Sequence, residues 1–365
     1  MKPDNIKYFI GCNVPVFVCN FRCRYCYLGH HEHAYEGGIK PFAQSPDYIA
    51  DYFSVERMQG LCYFNFCAFG ETFLHPELIE LVSKLTEQGH FVDIITNGTI
   101  SKNIDKLIET LNGFQRKRLL IKFSFHYLEL KERDVMSIFV ENVNKVKEAG
   151  ISYSIEITPH DELIPYIDEI KEFSLKNFGA WPHITVARNE ATDEIELLTK
   201  LSREEYIKTW SVFDSGMFDF KIDIFNKKRC EFCYAGLWSL QLNLATGNYT
   251  QCYAGDVLGN IQDKKLHLRA IGKCRQPHCF NGHAFLTYGL IPELDTPAYA
   301  VMRERVKNDG GQWLQTEAKA FFSTKLVDAN TTYTEEEKRK ALKKGKYYKI
   351  NSVYQRIKNK LISKI

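Results

Sequence analysis

Residues 1–200 predict an α/β fold, an open and partial (β/α)6 barrel of the TIM-like kind, and three observations carry the prediction. Short strand-like runs alternate with helical patterns of roughly 10 to 17 residues, which is the signature of parallel β–α units. About six such units fit in this stretch, too few to close an eightfold barrel. Polar and glycine-containing signals fall where the strand-like runs end, the edge at which such sheets bind ligands.

The strand-like runs are Tyr8 to Ile10, Cys62 to Phe66, Phe91 to Thr96, Leu119 to Phe125, Ser152 to Thr158 and Ile184 to Val186. One helical pattern follows Ser45. Another opens at His75-Pro76-Glu77-Leu78, with proline in a favourable first-turn place and Gly89 as its stop. Others run from Lys102 to Leu111, Asp134 to Gly150 and Leu163 to Gly179. Residues 201–225 read as helix behind Ser202-Arg203-Glu204-Glu205, a capping-box start. After Cys230 the helical period fades, and Gly, Cys, His and Asn become frequent. Three divisions are expected: a barrel over 1–200, a cysteine-rich, metal-organised module over 201–295, and a helical extension with a basic tail over 296–365.

With 44% hydrophobic and 25% charged residues, 365 residues can bury a large core. No apolar run approaches the roughly 18 residues that cross a bilayer. The N-terminus lacks the apolar region of a secretory signal, so a cytoplasmic location is expected. There, 11 cysteines point to metal rather than to disulfides. Of 48 Lys and Arg, 11 fall after residue 337 with no Asp or Glu among them, so an acidic body carries a basic tail. In that tail Ile350, Val353, Tyr354, Ile357, Leu361 and Ile362 suit one helix face. Such a helix lies on an anionic membrane surface, binds acidic substrate or nucleic acid, or packs on the body.

Cys19, Cys23 and Cys26 stand in Cys-Asn-Phe-Arg-Cys-Arg-Tyr-Cys. Three thiolates on one loop can hold three corners of a cubic iron–sulfur cluster and leave the fourth iron without a protein ligand. An open metal position is the mark of a reactive centre. Structural zinc wants four local ligands, and a disulfide framework suits short secreted chains. Further signals end the strands: Phe69-Gly70-Glu71-Thr72 the second, Thr96-Asn97-Gly98-Thr99 the third, Ser124 the fourth, and Glu156 with His160 on or after the fifth. Each alone is a weak signal, Gly-Glu and Asn-Gly being common turns; together they are expected to surround one pocket.

These motifs resemble the radical S-adenosylmethionine (SAM) superfamily over roughly residues 8–190. The resemblance implies a [4Fe–4S] cluster on Cys19, Cys23 and Cys26 whose open iron chelates the amino and carboxylate groups of SAM. One electron then splits the sulfonium to a 5′-deoxyadenosyl radical, which takes a hydrogen atom from substrate. It implies that Tyr25 contacts adenine, that Gly70 and Glu71 sit near the methionine amine, that Thr96 and Asn97 line the cofactor site, and that Ser124 and Glu156 bind ribose or methionine. Phe69 and Thr72 depart from the family's Gly-Gly-Glu-Pro pattern.

Cys233, Gly247 and Cys252, followed by Cys274 and Cys279, resemble the SPASM and twitch auxiliary-cluster modules. Five cysteines, counting Cys230, suffice for one more [4Fe–4S] cluster. The twitch type is favoured, with ligands Cys233, Cys252, Cys274 and Cys279. The spacing of the last pair departs from the pattern, so Cys230 is an alternative ligand, and zinc an alternative metal. Cys12 is open, while Cys62 and Cys67 read as small buried apolar groups. His278, Asn281 and His283 stand beside the second cysteine group. His126, Tyr127 and Glu129 follow the fourth strand, and Asp161 and Glu162 follow His160. Candidate catalytic residues are Tyr253, Cys230 and His160.

The expected activity is a radical SAM enzyme of oxidoreductase type, acting on a small-molecule or sugar-type substrate. Its auxiliary cluster would serve dehydrogenation, epimerisation or bond formation. An electron donor such as flavodoxin or ferredoxin is implied. No leader-binding segment precedes the barrel, which favours this over a peptide- or protein-modifying maturase. A non-catalytic zinc or iron–sulfur module with a basic nucleic-acid-binding arm is the rival from another class.

Overall fold

A computed structural model describes residues 5–30, 35–190, 195–253 and 255–345. Six strands follow the expected order: β1 (Ile6–Val14), β2 (Leu61–Ala68), β3 (Phe91–Thr96), β4 (Leu119–Ser124), β5 (Ser152–Ile157) and β6 (His183–Ile184). They pair in parallel, each with the next. Strands covered on both faces read as near-continuous apolar runs, which is why these were legible.

Smaller strands complete the set. β7 (Arg188–Asn189) and β8 (Glu196–Leu197) make a separate pair, and β9 (Phe232–Cys233) pairs with a later strand. β10 (Ser239–Asn243), β11 (Asn248–Thr250) and β12 (Val257–Asn260) extend the main sheet, while β13 (Gly272–Lys273) is the partner of β9. The sheet order is β12-β11-β10-β1-β2-β3-β4-β5-β6, with β10 parallel to β1 and the β10–β11–β12 meander antiparallel. The cysteine-rich stretch, expected to be loop-rich, thus adds three strands to the barrel sheet. Gly247 sits at φ +74° in the β10–β11 turn, where a side chain would also strike Ile261.

The helices form where the period predicted them. Leu78–Glu87 buries Leu78, Leu81, Val82 and Leu85 against the sheet, and Gly89 follows at φ +94°. Met136–Glu148 and Ile167–Phe178 match their patterns, the latter behind a 3-10 turn over Asp161–Tyr166. The capping box at Ser202 and Glu205 is present. The helix expected over 201–225 is instead two, Arg203–Trp210 and Gly216–Ile224, because Asp214 adopts a left-handed conformation at φ +47°. After Pro297 the described chain is largely irregular; Tyr299–Met302 and Thr316–Phe322 are short helices, and residues 335–345 are helical. The tail positions from Ile350 onward lie outside the described residues. Among the described residues no helix is long and apolar enough to cross a membrane.

Alternate residues of a strand face opposite sides. Ile10, Phe64, Val92 and Ile121 pack outward under the helices. Phe9, Tyr63, Phe91 and Leu120 point the other way and meet Trp238, Tyr288, Tyr299, Phe321 and Phe322 from the C-terminal half. These aromatics plug the amino ends of the strands. Phe91 stacks on Phe321 with ring centroids 3.9 Å apart. Further along the same inner rows come Asn65 and Cys67, Asp93 and Ile95, Lys122 and Ser124, and the interior turns polar toward the carboxyl ends.

Candidate functional site

A cavity of about 590 Å³ opens above the aromatic plug. Its wall includes Cys19, Cys23 and Cys26 on the loop after β1, Gly70 and Glu71 after β2, Thr96 and Asn97 at the end of β3, and Ser124 and Glu156 at the ends of β4 and β5. The motifs scattered along the first half of the chain therefore share one concavity, within the size of small-ligand sites.

Hydrogen bonds tie these motifs to one another. The buried Glu71 carboxylate accepts from the Thr96 hydroxyl at 2.7 Å and the Asn97 N–H at 2.7 Å, and from the Phe73 N–H at 3.0 Å. Burial lifts its carboxyl above the usual range, and the three donors pull the other way. The Asn97 side chain donates to Asn20 at 2.7 Å and lies 3.8 Å from the Cys19 sulfur. Glu71 N–H also bonds the Val18 carbonyl at 3.0 Å. Gly70 makes this approach possible: a Cβ there would lie 2.0 Å from the Val18 oxygen. Phe69, in place of the family's first glycine, turns outward and stacks on Phe17.

The three cysteines form no disulfide and stand on a tight turn, where Cys26 N–H bonds the Cys23 carbonyl at 3.0 Å and Gly29 N–H bonds that of Cys26 at 3.0 Å. Burial raises the Cys19 and Cys23 thiols, and each also senses the charge of Cys26. Donors already aimed at the Cys19 sulfur, from Phe21 N–H at 3.4 Å and from Asn97, are what a thiolate ligand needs. Among the described residues no three His, Cys, Asp or Glu side chains converge on a single ion. Three thiolates on one loop, one of them already met by backbone and amide donors, are a donor set that fits three corners of a cubic cluster.

Tyr25, expected against adenine, has its hydroxyl 2.6 Å from His126 Nδ1 and its ring stacked on His160 at 4.0 Å. Burial lowers both imidazoles to about 4, so they are neutral at physiological pH. His160 is buried, with no partner for its Nε2 atom among the described residues. His126 and His160 are thus part of the wall around Tyr25 and not solvated loop residues. Tyr127 bonds Glu169, Glu129 pairs with Arg133, Asp161 accepts from Thr199 and Lys200, and Glu162 reaches Arg24. Glu156 is engaged by Arg303, a side chain that is 1% exposed and comes from beyond residue 295.

The second cysteine group also assembles. Cys233 on β9 and Cys274 just after β13 are brought together because Gly272 pairs with Cys233. Cys252 follows β11, and Cys279 precedes the helix Gly282–Phe285. All four line one small cavity, and the Cys279 thiol senses Cys233, Cys252 and Cys274. Cys230 is exposed and lines neither cavity. Cys279, Tyr253 and His278 belong to the walls of both cavities. His278 Nδ1 donates to Asn226 Oδ1, 2.9 Å away, and Asn281 and His283 line the larger cavity.

Several residues on or behind the wall were missed by sequence reasoning. Asp93 pairs with Lys122 at 2.5 Å, both buried, and also holds Asn65 and the Tyr63 hydroxyl. Arg188, Lys221 and Arg303 enter from later segments. The signal for the first two was a single charge at an inward position of an otherwise apolar strand, in Phe-Val-Asp-Ile-Ile and Leu-Leu-Ile-Lys-Phe. Cys67, expected to be a buried apolar group, instead lines the cavity, because it continues the inner row of Tyr63 and Asn65.

The Radical SAM superfamily model matches residues 13–173. No curated protein matches significantly. Among solved structures, SuiB of Streptococcus suis is similar when bound to S-adenosylmethionine and when bound to its precursor peptide SuiA. Each has 14% identity, a TM-score of 0.50 and coverage of 72% of this chain. This chain spans 65% and 64% of those SuiB chains, less than two thirds of their length. The structure of anSMEcpe with bound AdoMet is 18% identical with a TM-score of 0.47, covering 70% of this chain and 75% of its own. The superfamily whose model matches residues 13–173 uses a [4Fe–4S] cluster and SAM.

Proposed function

We propose that the protein cleaves SAM reductively at a cluster held by Cys19, Cys23 and Cys26, and that a second [4Fe–4S] cluster on Cys233, Cys252, Cys274 and Cys279 exchanges an electron with the substrate. The observation that carries this reading is the shared wall. One cavity touches the first three cysteines and also Cys279, Tyr253 and His278, which line the pocket of the second four. A substrate lying there meets both redox sites.

The first cluster, when bound, supplies the electron that splits SAM into methionine and the 5′-deoxyadenosyl radical. The chain's own residues do the rest. Glu71 offers a fixed carboxylate near the cysteine loop for the ammonium of SAM. Tyr25, backed by His126 and His160, offers an aromatic surface for adenine. Ser124 adds a hydroxyl for ribose or methionine. Glu156 is held by Arg303, so its part in SAM binding is indirect. Tyr253 lines both cavities and so lies between a substrate in the larger one and the second cysteine group.

A cavity that must hold both SAM and substrate suits a small-molecule or sugar-type substrate better than a folded protein. The location proposed is cytoplasmic, with a one-electron donor such as flavodoxin or ferredoxin. Anaerobic reconstitution with iron and sulfide counting, followed by a dithionite-driven assay for 5′-deoxyadenosine, tests the reading. About eight irons and nucleoside release are expected. Zinc-only protein, or nucleoside release that survives Cys23→Ala, would overturn it.

A further inference from the structure

Four cations line the large cavity: Lys122, Arg188, Lys221 and Arg303. Three have matching carboxylates. Lys122 meets Asp93 at 2.5 Å, Arg188 meets Glu190 at 2.6 Å, and Arg303 meets Glu156. The other carboxylate of the wall, Glu71, is held by Phe73, Thr96 and Asn97. Lys221 is different. Its ammonium donates to the Thr185 hydroxyl, and among the described residues no carboxylate lies within ion-pairing distance.

The helix Gly216–Ile224 holds this side chain in place, since Met217, Phe218 and Ile222 on the same helix are buried. The nearest charges add to the excess. Lys221 feels Arg188 and Lys122, and His283 feels all three cations and is held neutral. Lys221 is part-buried on the cavity wall, and a cation partly withdrawn from water without a counter-charge is costly; its hydrogen bond to a neutral hydroxyl does not neutralise it. Burial, then Arg188 and Lys122, lower the amine to about 7. A carboxylate beside it would restore the proton.

We propose that the substrate of this cavity carries a carboxylate, and that Lys221 binds it with help from Thr185. The proposal rests on the cavity being the substrate site argued above. Of the four cations only Lys221 has no carboxylate beside it among the described residues, and one carboxylate at that place neutralises it; the charge of Glu71 lies at the cysteine loop, where it is reserved for the ammonium of SAM. A phosphate, with about −1.5 to −2 charge at neutral pH, overshoots it. Lys221 is here a binding residue that sets which substrates enter.

The test compares three ligands with the same ring, namely benzoate, its neutral isostere benzamide, and phenyl phosphate. Each is titrated calorimetrically into the anaerobically reconstituted protein at matched ionic strength. Benzoate is expected to bind at least about tenfold more tightly than the other two, the size of one charge-assisted contact. In Lys221→Met that preference should vanish, and in Lys221→Arg it should persist. Benzoate no tighter than benzamide in the wild type overturns the proposal, and that comparison needs no variant to fold. A preference surviving in Lys221→Met also overturns it, as does tighter binding of phenyl phosphate. So does competition between SAM and benzoate, because Lys221 would then serve the carboxylate of SAM itself. Binding is read without turnover. A protein that prefers benzoate but releases no 5′-deoxyadenosine sinks the radical SAM reading alone, and the converse result sinks only this inference.

Discussion

Glu71 Oε2 accepts the backbone N–H of Asn97 at 2.7 Å, so residues 26 positions apart in sequence, each just beyond the end of a different strand, are joined by one hydrogen bond. Through Asn97 the same contact reaches Asn20 and the sulfur of Cys19. Glu71, Asn97, Asn20 and Cys19 are therefore a single hydrogen-bonded unit. Glu71→Gln replaces one acceptor with a donor facing either Asn97 N–H or the Thr96 and Phe73 donors. The unsatisfied buried group should cost about 1–3 kcal/mol of stability, read by denaturant unfolding. SAM-dependent 5′-deoxyadenosine formation should fall by about tenfold or more.

Gly70→Ala should act on the same unit by steric means. A Cβ placed 2.0 Å from the Val18 carbonyl must push Val18 away, and Val18 precedes Cys19. Loss of at least half of the iron bound at the first site is expected in reconstituted protein. Full iron content with normal nucleoside release would show that the loop yields freely.

The five cysteines of the second group should separate cleanly. Cys274→Ala should drop iron from about eight to about four per chain while substrate-free SAM cleavage continues. Cys230→Ala should leave iron unchanged, because Cys230 is exposed and outside both cavities. Equal iron losses in both variants would return Cys230 to the ligand set.

Asp93 is the counter-charge of a fully enclosed lysine. Asp93→Ala strands Lys122 and leaves Tyr63 and Asn65 without their acceptor. Breaking one side of such a pair costs about 3–5 kcal/mol, and guanidinium unfolding should show it as a lower midpoint at constant slope.

Lys221 predicts a pH trend. Its folded value, about 7, lies below its ordinary 10.5, so between these values the unfolded chain binds more protons than the native one. Stability then rises with pH across that window. Below about 7 the amine is charged in both states and the burial cost is complete. Lys221→Met should therefore be more stable than the wild type at pH 6.5, and the gap should shrink steadily toward pH 10. A gap independent of pH would mean that Lys221 is not the strained cation described here.

Local chemistry along the chain determined a good deal by itself. Apolar runs such as Phe91–Thr96 must hide both faces, and the 3.6-residue period of Leu78–Glu87 must turn one face inward, so the β–α alternation was readable before any contact was known. The cysteine triplet and the Glu71 and Asn97 signals were readable because spacing alone puts them on loops at strand ends. Tertiary structure decided what depends on distant partners. That β10 extends the sheet beside β1 follows from the pairing of Phe9 with Ser239, which no local pattern encodes. That Arg303 occupies Glu156, that Cys230 stands apart from the other four thiols, and that Lys221 faces the cavity with no carboxylate partner among the described residues are all consequences of long-range packing. Charge balance inside a cavity is a property of the enclosing walls, and those walls are assembled only when segments far apart in the chain come together.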